Sequence, residues 1–236
     1  MKRFFALSIC LSLGACADYG FDPVSVVSPR ASEVQSLDGA STSKLYLSVV
    51  NGLLSQGRYR AALAYLDQYA VKEKKTPYFH QLYGEALLGT EQYEEAAAAF
   101  AKLGNTELAA DGFSGLGRAR AAQGDWVGAE EEFRKAVAAR PSSAEFLNNL
   151  GYAQLTIGGD RLKAAEFNLR QAQELDPSSG SIRNNLLIAF MMTGKNEEAR
   201  RLLAGIPASR ERAEVQDFAA AWVRERQPAG PAKEDM

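Results

Sequence analysis

Residues Ala144–Leu203 read AEFLNNLGYAQLTIGGDRLKAAEFNLRQAQELDPSSGSIRNNLLIAFMMTGKNEEARRLL. One pattern occurs twice in this stretch. Asn148-Asn149-Leu150 returns as Asn184-Asn185-Leu186, an offset of 36 residues, and Lys163-Ala164-Ala165-Glu166 is answered by Glu197-Glu198-Ala199-Arg200. Self-similarity at this period marks stacked supersecondary units that share a continuous core.

Working outward, the helical period begins at Ser43 and five units align. The third has Phe113, Leu116, Gly117, Trp126, Ala129, Phe133, Ala136 and Pro141. The fourth has Leu147, Leu150, Gly151, Leu162, Ala165, Leu169, Ala172 and Pro177, with two extra residues in its Gly158–Arg161 turn. The second runs from His80 through Tyr83, Gly84, Tyr93, Ala96 and Phe100. The first and fifth depart most, with Val50 and Leu187 where glycine is usual. This order of residues resembles the tetratricopeptide repeat (TPR) family. The resemblance implies an all-α solenoid of helical hairpins, about five repeats over residues 43–207, closed by a capping helix over 208–226. Small residues (Gly84, Gly117, Gly151 and the alanines) let paired helices approach, and large residues three or four places away fill the space around them. Gly57, Gly124, Gly158 and Gly194 suit left-handed caps at the ends of first helices. Pro141 and Pro177 close second helices. In the capping helix Val215, Phe218, Ala219, Trp222 and Val223 fall on one face.

The first residues read differently. Met1-Lys2-Arg3 is positive, Phe4–Leu13 is a short apolar run, and Leu13-Gly14-Ala15-Cys16 resembles a bacterial lipobox. That match implies a signal peptide over 1–15 and covalent lipid on Cys16, with bulky Ile9 making Cys10 the poorer candidate. Residues 16–42 carry Pro23, Pro29 and several serines without a sustained period, which predicts a flexible tether reaching about 25–30 Å as a random coil. Ala17 follows the cysteine with Asp18 one place later, so the resemblance implies an outer-membrane anchor facing the periplasm. Residues 227–236, with Pro228 and Pro231, are expected to be a disordered tail.

Composition excludes several classes. The chain is 46% apolar and 24% charged with a net charge of −2, so it is globular and has no basic field for nucleic acid. Cys10 and Cys16 are the two cysteines, and removal of the signal peptide would leave Cys16 alone, without a disulfide or thiolate metal site. His80 is the sole histidine and falls at a packing position. The Gly112–Gly117 run lies inside a predicted helix, not after a strand, so it is no phosphate loop. Glu130-Glu131-Glu132 reads as a solvated helix face. The chain is therefore not expected to be an enzyme or to hold a cofactor other than the Cys16 lipid.

The candidate site is the concave surface that the family's first helices line. Carried over by position, this gives Asn51, then Tyr78, Gln81 and Glu85, then Arg118 in the first three units. The last two give Asn148, Asn149 and Tyr152, then Asn184, Asn185, Ile188 and Met191. Asparagine offers the donor and acceptor that a peptide backbone also presents. Tyrosine adds amphipathic area, and methionine adapts to varied side chains. Arg118 alone among the family's carboxylate-clamp places is positive here, which disfavours capture of a C-terminal carboxylate.

Lipobox, tether, repeats and capping helix together resemble the TadD family of TPR lipoproteins in Flp (tight-adherence) pilus assembly. That resemblance implies a pilotin-like scaffold whose partners are a secretin or other pilus-assembly proteins. A type IV pilus pilotin, another outer-membrane assembly TPR lipoprotein, or the regulatory subunit of an envelope enzyme share parts of the layout.

Overall fold

The computed structural model describes residues 39–226. The expected signal peptide, Cys16, most of the expected tether and the expected C-terminal tail lie outside the described residues. Among the described residues the chain is helical with no strand. The elements are α1 (Gly39–Ser55), α2 (Tyr59–Lys72), α3 (Pro77–Gly89), α4 (Tyr93–Ala101), α5 (Ala109–Ala122) and α6 (Trp126–Ala139). They continue as α7 (Ala144–Ile157), α8 (Leu162–Leu175), α9 (Gly180–Met192), α10 (Asn196–Ala204) and α11 (Ser209–Arg226). α1 starts at Gly39, so the first helix takes up the last residues of the stretch expected to be tether. None of these helices is long and apolar enough to cross a membrane.

Helix starts follow from local chemistry. Thr76, Asp125, Ser143 and Ser179 each cap a helix by accepting a backbone N–H three residues on, at 3.2, 2.9, 3.3 and 3.4 Å. Pro77 occupies the first turn of α3, where its missing N–H costs nothing. Arg140 and Asp176 stand before Pro141 and Pro177 in non-helical backbone, which ends α6 and α8. The expected glycine caps are left-handed, with φ of +70° at Gly57 and +72° at Gly194; the second unit has no glycine in this place, and Glu91 takes φ 64° instead.

The helices pair as α1–α2, α3–α4, α5–α6, α7–α8 and α9–α10, and each hairpin packs on the next. The pairing device is a small residue under a large one. A Cβ on Gly84 would lie 2.7 Å from Phe100, one on Gly117 2.5 Å from Phe133, and one on Gly151 2.6 Å from Leu169. Phe100, Phe133 and Leu169 are accordingly buried, as are Ala96, Ala129 and Ala165 beside them. Each such large side chain contributes about 1.5–3 kcal/mol of hydrophobic stabilisation. The apolar clusters run on from hairpin to hairpin, as a stacked array requires.

The Glu130–Glu132 run departs from its expected exposure. Glu131 faces solvent, but Glu130 and Glu132 are buried. Glu130 accepts from Arg161 Nε at 2.9 Å, Arg134 Nη2 at 2.8 Å and Gln154 Nε2 at 3.2 Å. Glu166, one unit later, accepts from Lys195 Nζ at 2.6 Å, Arg170 Nε at 3.0 Å and Thr193 Oγ1 at 3.2 Å. In both cases a second helix reaches into the turn of the following hairpin. Burial alone would raise these carboxyl pKa values, but the hydrogen bonds and charges of the cations outweigh it and hold both below the ordinary range.

Candidate functional site

The first helices α1, α3, α5, α7 and α9 lie side by side, each touching the next. Along α1, α3 and α5 their shared face is open. Asn51, Tyr78, Gln81 and Glu85 line a cleft of about 420 Å³ together with Leu54 and Tyr59. A second cleft of about 350 Å³ holds Tyr59, Glu85, Leu88 and Arg118. Tyr59 and Glu85 belong to both, so the two form one continuous trough. Tyr59 projects from the start of α2 across to Gly89, where a Cβ would collide with the ring. Gly89 is thus the space that lets the tyrosine form a wall.

The trough is polar but internally neutral. Arg118 Nη1 and Nη2 donate to Glu85 Oε1 and Oε2 at 2.7 and 2.8 Å, a two-pronged pair between α5 and α3. Burial works to lower the Arg118 pKa, but the bond to Glu85 and the nearby Glu85 and Glu145 charges more than offset it. Asp111 is similarly held by Arg140, at 3.1 and 2.8 Å. With Arg118 committed to Glu85, a free carboxylate would have to compete for it. Asn51, Tyr78 and Gln81 are left as neutral groups that can match a peptide backbone.

The far half, on α7 and α9, is different. Asn185 Nδ2 donates to Asn148 Oδ1 at 2.9 Å, which ties α9 to α7. These two asparagines therefore bond each other, whereas both were expected to face a ligand. Asn149 and Asn184 are half-buried. Tyr152 stands edge-on to Trp126, with centroids 5.7 Å apart, and lies 6.4 Å from Trp222 of α11. Ile188 is fully buried at 0% exposure, in one cluster with Val215, Ala219 and Trp222; Met191 packs against that cluster. The expectation that Ile188 lines an open groove is thus corrected, because α11 covers it. Phe218 departs in the opposite direction and is 54% exposed on α11. Of the sequence-derived set, the structure gathers Asn51, Tyr78, Gln81, Glu85 and Arg118 in one accessible trough. It joins Asn148 of α7 to Asn185 of α9, puts Ile188 in the cluster that α11 closes with Tyr152 and Met191 against it, and leaves Asn149 and Asn184 half-buried.

His80 sits away from the trough, half-buried near Asp67, Tyr83, Glu95 and Lys102 in a cleft of about 360 Å³. Burial first, and then the charges of Lys102 and Lys75, push its pKa below the ordinary value. The same surroundings favour its neutral form, and its ring meets Phe79 edge-on at 5.4 Å. The buried Glu130 and Glu166 were missed from sequence. The available signal was a glutamate directly after the repeat alanine (Ala129, Ala165), with a cation in the following turn (Arg161, Lys195).

Stacked hairpins with small-on-large pairing and a concave face of first helices define a solenoid scaffold suited to protein–protein interaction. Profiles of the tetratricopeptide repeat match residues 50–110, 114–167 and 157–221. The chain belongs to the tetratricopeptide repeat family, whose members bind protein partners and are typically non-catalytic. A TPR repeat-containing protein of Pseudomonas aeruginosa is 29% identical over 249 aligned residues, covering 100% of this chain and 92% of the relative. Among solved structures, the thermophilic TPR protein TTC0263 of Thermus thermophilus superposes with a TM-score of 0.62 at 20% identity, over 76% of this chain and 97% of that one. YrrB, a TPR protein with an unusual peptide-binding site, has a TM-score of 0.53 at 20% identity, over 76% and 90%. At these identities the two structures speak for the fold.

Proposed function

We propose that the chain is a lipid-anchored TPR scaffold, pilotin-like in role, that grips a segment of a secretin or another protein of Flp pilus assembly. The observation that carries the binding half of this reading is the continuous trough across α1, α3 and α5. Its neutral Asn51, Tyr78 and Gln81 suit the repeating donor and acceptor of an extended backbone, and its one ion pair is already satisfied. The anchoring half rests on Leu13-Gly14-Ala15-Cys16. Lipid on Cys16 would hold the scaffold at the outer membrane, and residues 17–38 would give the array reach from the lipid surface. The Pseudomonas aeruginosa TPR repeat-containing protein aligns along the whole of this chain, N-terminal stretch included, which supports a shared layout.

The test is capture from detergent-solubilised envelopes with the lipidated chain as bait. Wild type should enrich the Flp secretin or its assembly partners over an unrelated lipoprotein. Tyr78→Ala with Gln81→Ala should lose that enrichment while the thermal melt is unchanged. Equal enrichment by both baits, or none of a pilus component, would refute the proposal.

A further inference from the structure

α11 does not continue the stacking rule of the array. Between hairpins elsewhere, a first helix packs mainly on the second helix before it, as α5 does on α4 and α9 on α8. α11 instead lies along α9 and meets α10 only at its margin. Its Val215, Ala219 and Trp222 share one cluster with Ile188, and Trp222 reaches Tyr152 on α7, beyond α9. Ile188 and Tyr152 hold groove-lining places in the repeat. α11 therefore lies on the concave floor, as an amphipathic helix lies in a binding groove.

The fit is incomplete in one respect. Asn184 Oδ1 and Arg183 Nε of α9, and Trp222 Nε1 of α11, are buried without a hydrogen-bond partner. Permanent core leaves few such groups unpaired. The start of α11, in contrast, is fixed. Arg212 Nη2 donates to the Ile206 carbonyl at 3.0 Å, Ile206 is buried, and Arg183 pairs with Glu211 at 2.8 Å. That arrangement anchors the base of the helix and leaves the Val215–Trp222 stretch to carry the contact.

We propose that the α7–α9 floor is a helix-binding seat, held in cis by α11, which an amphipathic helix of a partner takes by displacing it. The incoming helix carries a small-and-aromatic face like Val215-Ala219-Trp222, with polar groups placed to pair with Asn184 and Arg183. This rests on the reading of the concave face as a partner groove and extends it to a second, regulated half.

The probe is a fluorescein-labelled peptide of residues 209–226, added in trans to the full chain and read by anisotropy. Ala219→Asp in the full chain puts a charge on the buried face of the cis helix and leaves the seat intact. The peptide should bind that variant at least about tenfold tighter than wild type. In wild type, hydrogen exchange should be faster in α11 than in α7 and α9. A folded variant that binds the peptide no better than wild type overturns the proposal. So does exchange of α11 and α9 as one unit, or loss of helix in the variant beyond the share of α11. Capture through Tyr78 and Gln81 is read separately, so failure of this seat leaves the open trough standing.

Discussion

Replacing Glu166 by alanine tests the joint between the fourth and fifth repeats. Its carboxylate is 8% exposed and accepts from Lys195, Arg170 and Thr193. Breaking a buried ion pair costs about 3–5 kcal/mol when the remaining charge stays buried. Here Arg170 and Lys195 are 43% and 42% exposed, so both regain water once released. Discounting for that screening brings the expected loss to about 2 kcal/mol. For a folded unit of this size it lowers the melting midpoint by about 4–8 °C. Far-UV circular dichroism during heating measures it, and hydrogen exchange should show the loosening in α8–α10 with α1–α4 unchanged. The effect also has a pH signature. The folded pKa of Glu166 is depressed, so its contribution is fully present above the ordinary value of 4.5 and is lost as pH falls through the lower folded value. The gap between wild type and variant should therefore close on acidification. An unchanged midpoint at pH 7, or a gap that persists at low pH, would refute the electrostatic account of this joint.

Ala165 is fully buried beneath Gly151, so Ala165→Leu should overpack α7 against α8 and destabilise by about 1–3 kcal/mol in a denaturant titration. Asn148→Ala and Asn185→Ala, made singly and together, should show a coupling of about 0.5–1.5 kcal/mol in stability; strict additivity would mean their hydrogen bond contributes nothing. Cys16→Ser should abolish incorporation of radiolabelled fatty acid, and continued labelling would point to Cys10 or against lipidation.

The hairpins were legible because the rules that make them act within about one repeat length of chain. Gly84 under Phe100 and Gly151 under Leu169 are contacts inside one hairpin, and spacing alone predicts them. What escaped was set between hairpins. Glu130 lies in a run of three acids, and local charge reads that run as a wet face. Stacking brings Arg161 over it from the next turn and turns a surface group into a buried one. The path of α11 escaped for the same reason. Its apolar face was plain, but only the fold shows that this face lies on α9, buries Ile188 and leaves Phe218 outside. Along α1, α3 and α5 the groove positions inherited from the repeat do fall together, in one trough open among the described residues.

Glu130 and Glu166 hold the same place in successive hairpins, and Arg161 and Lys195 the same turn in the hairpins that follow. The last two joints are thus the same coupling, whereas the first two hairpins carry Leu63 and Ala97 at the glutamate's place. Excising the fourth hairpin would bring Glu130 to Lys195, acid to base as before, and duplicating it would reproduce the same join. Over this C-terminal stretch the array can gain or lose a hairpin without redesigning its seams, so the span of its concave face can change by whole repeats there.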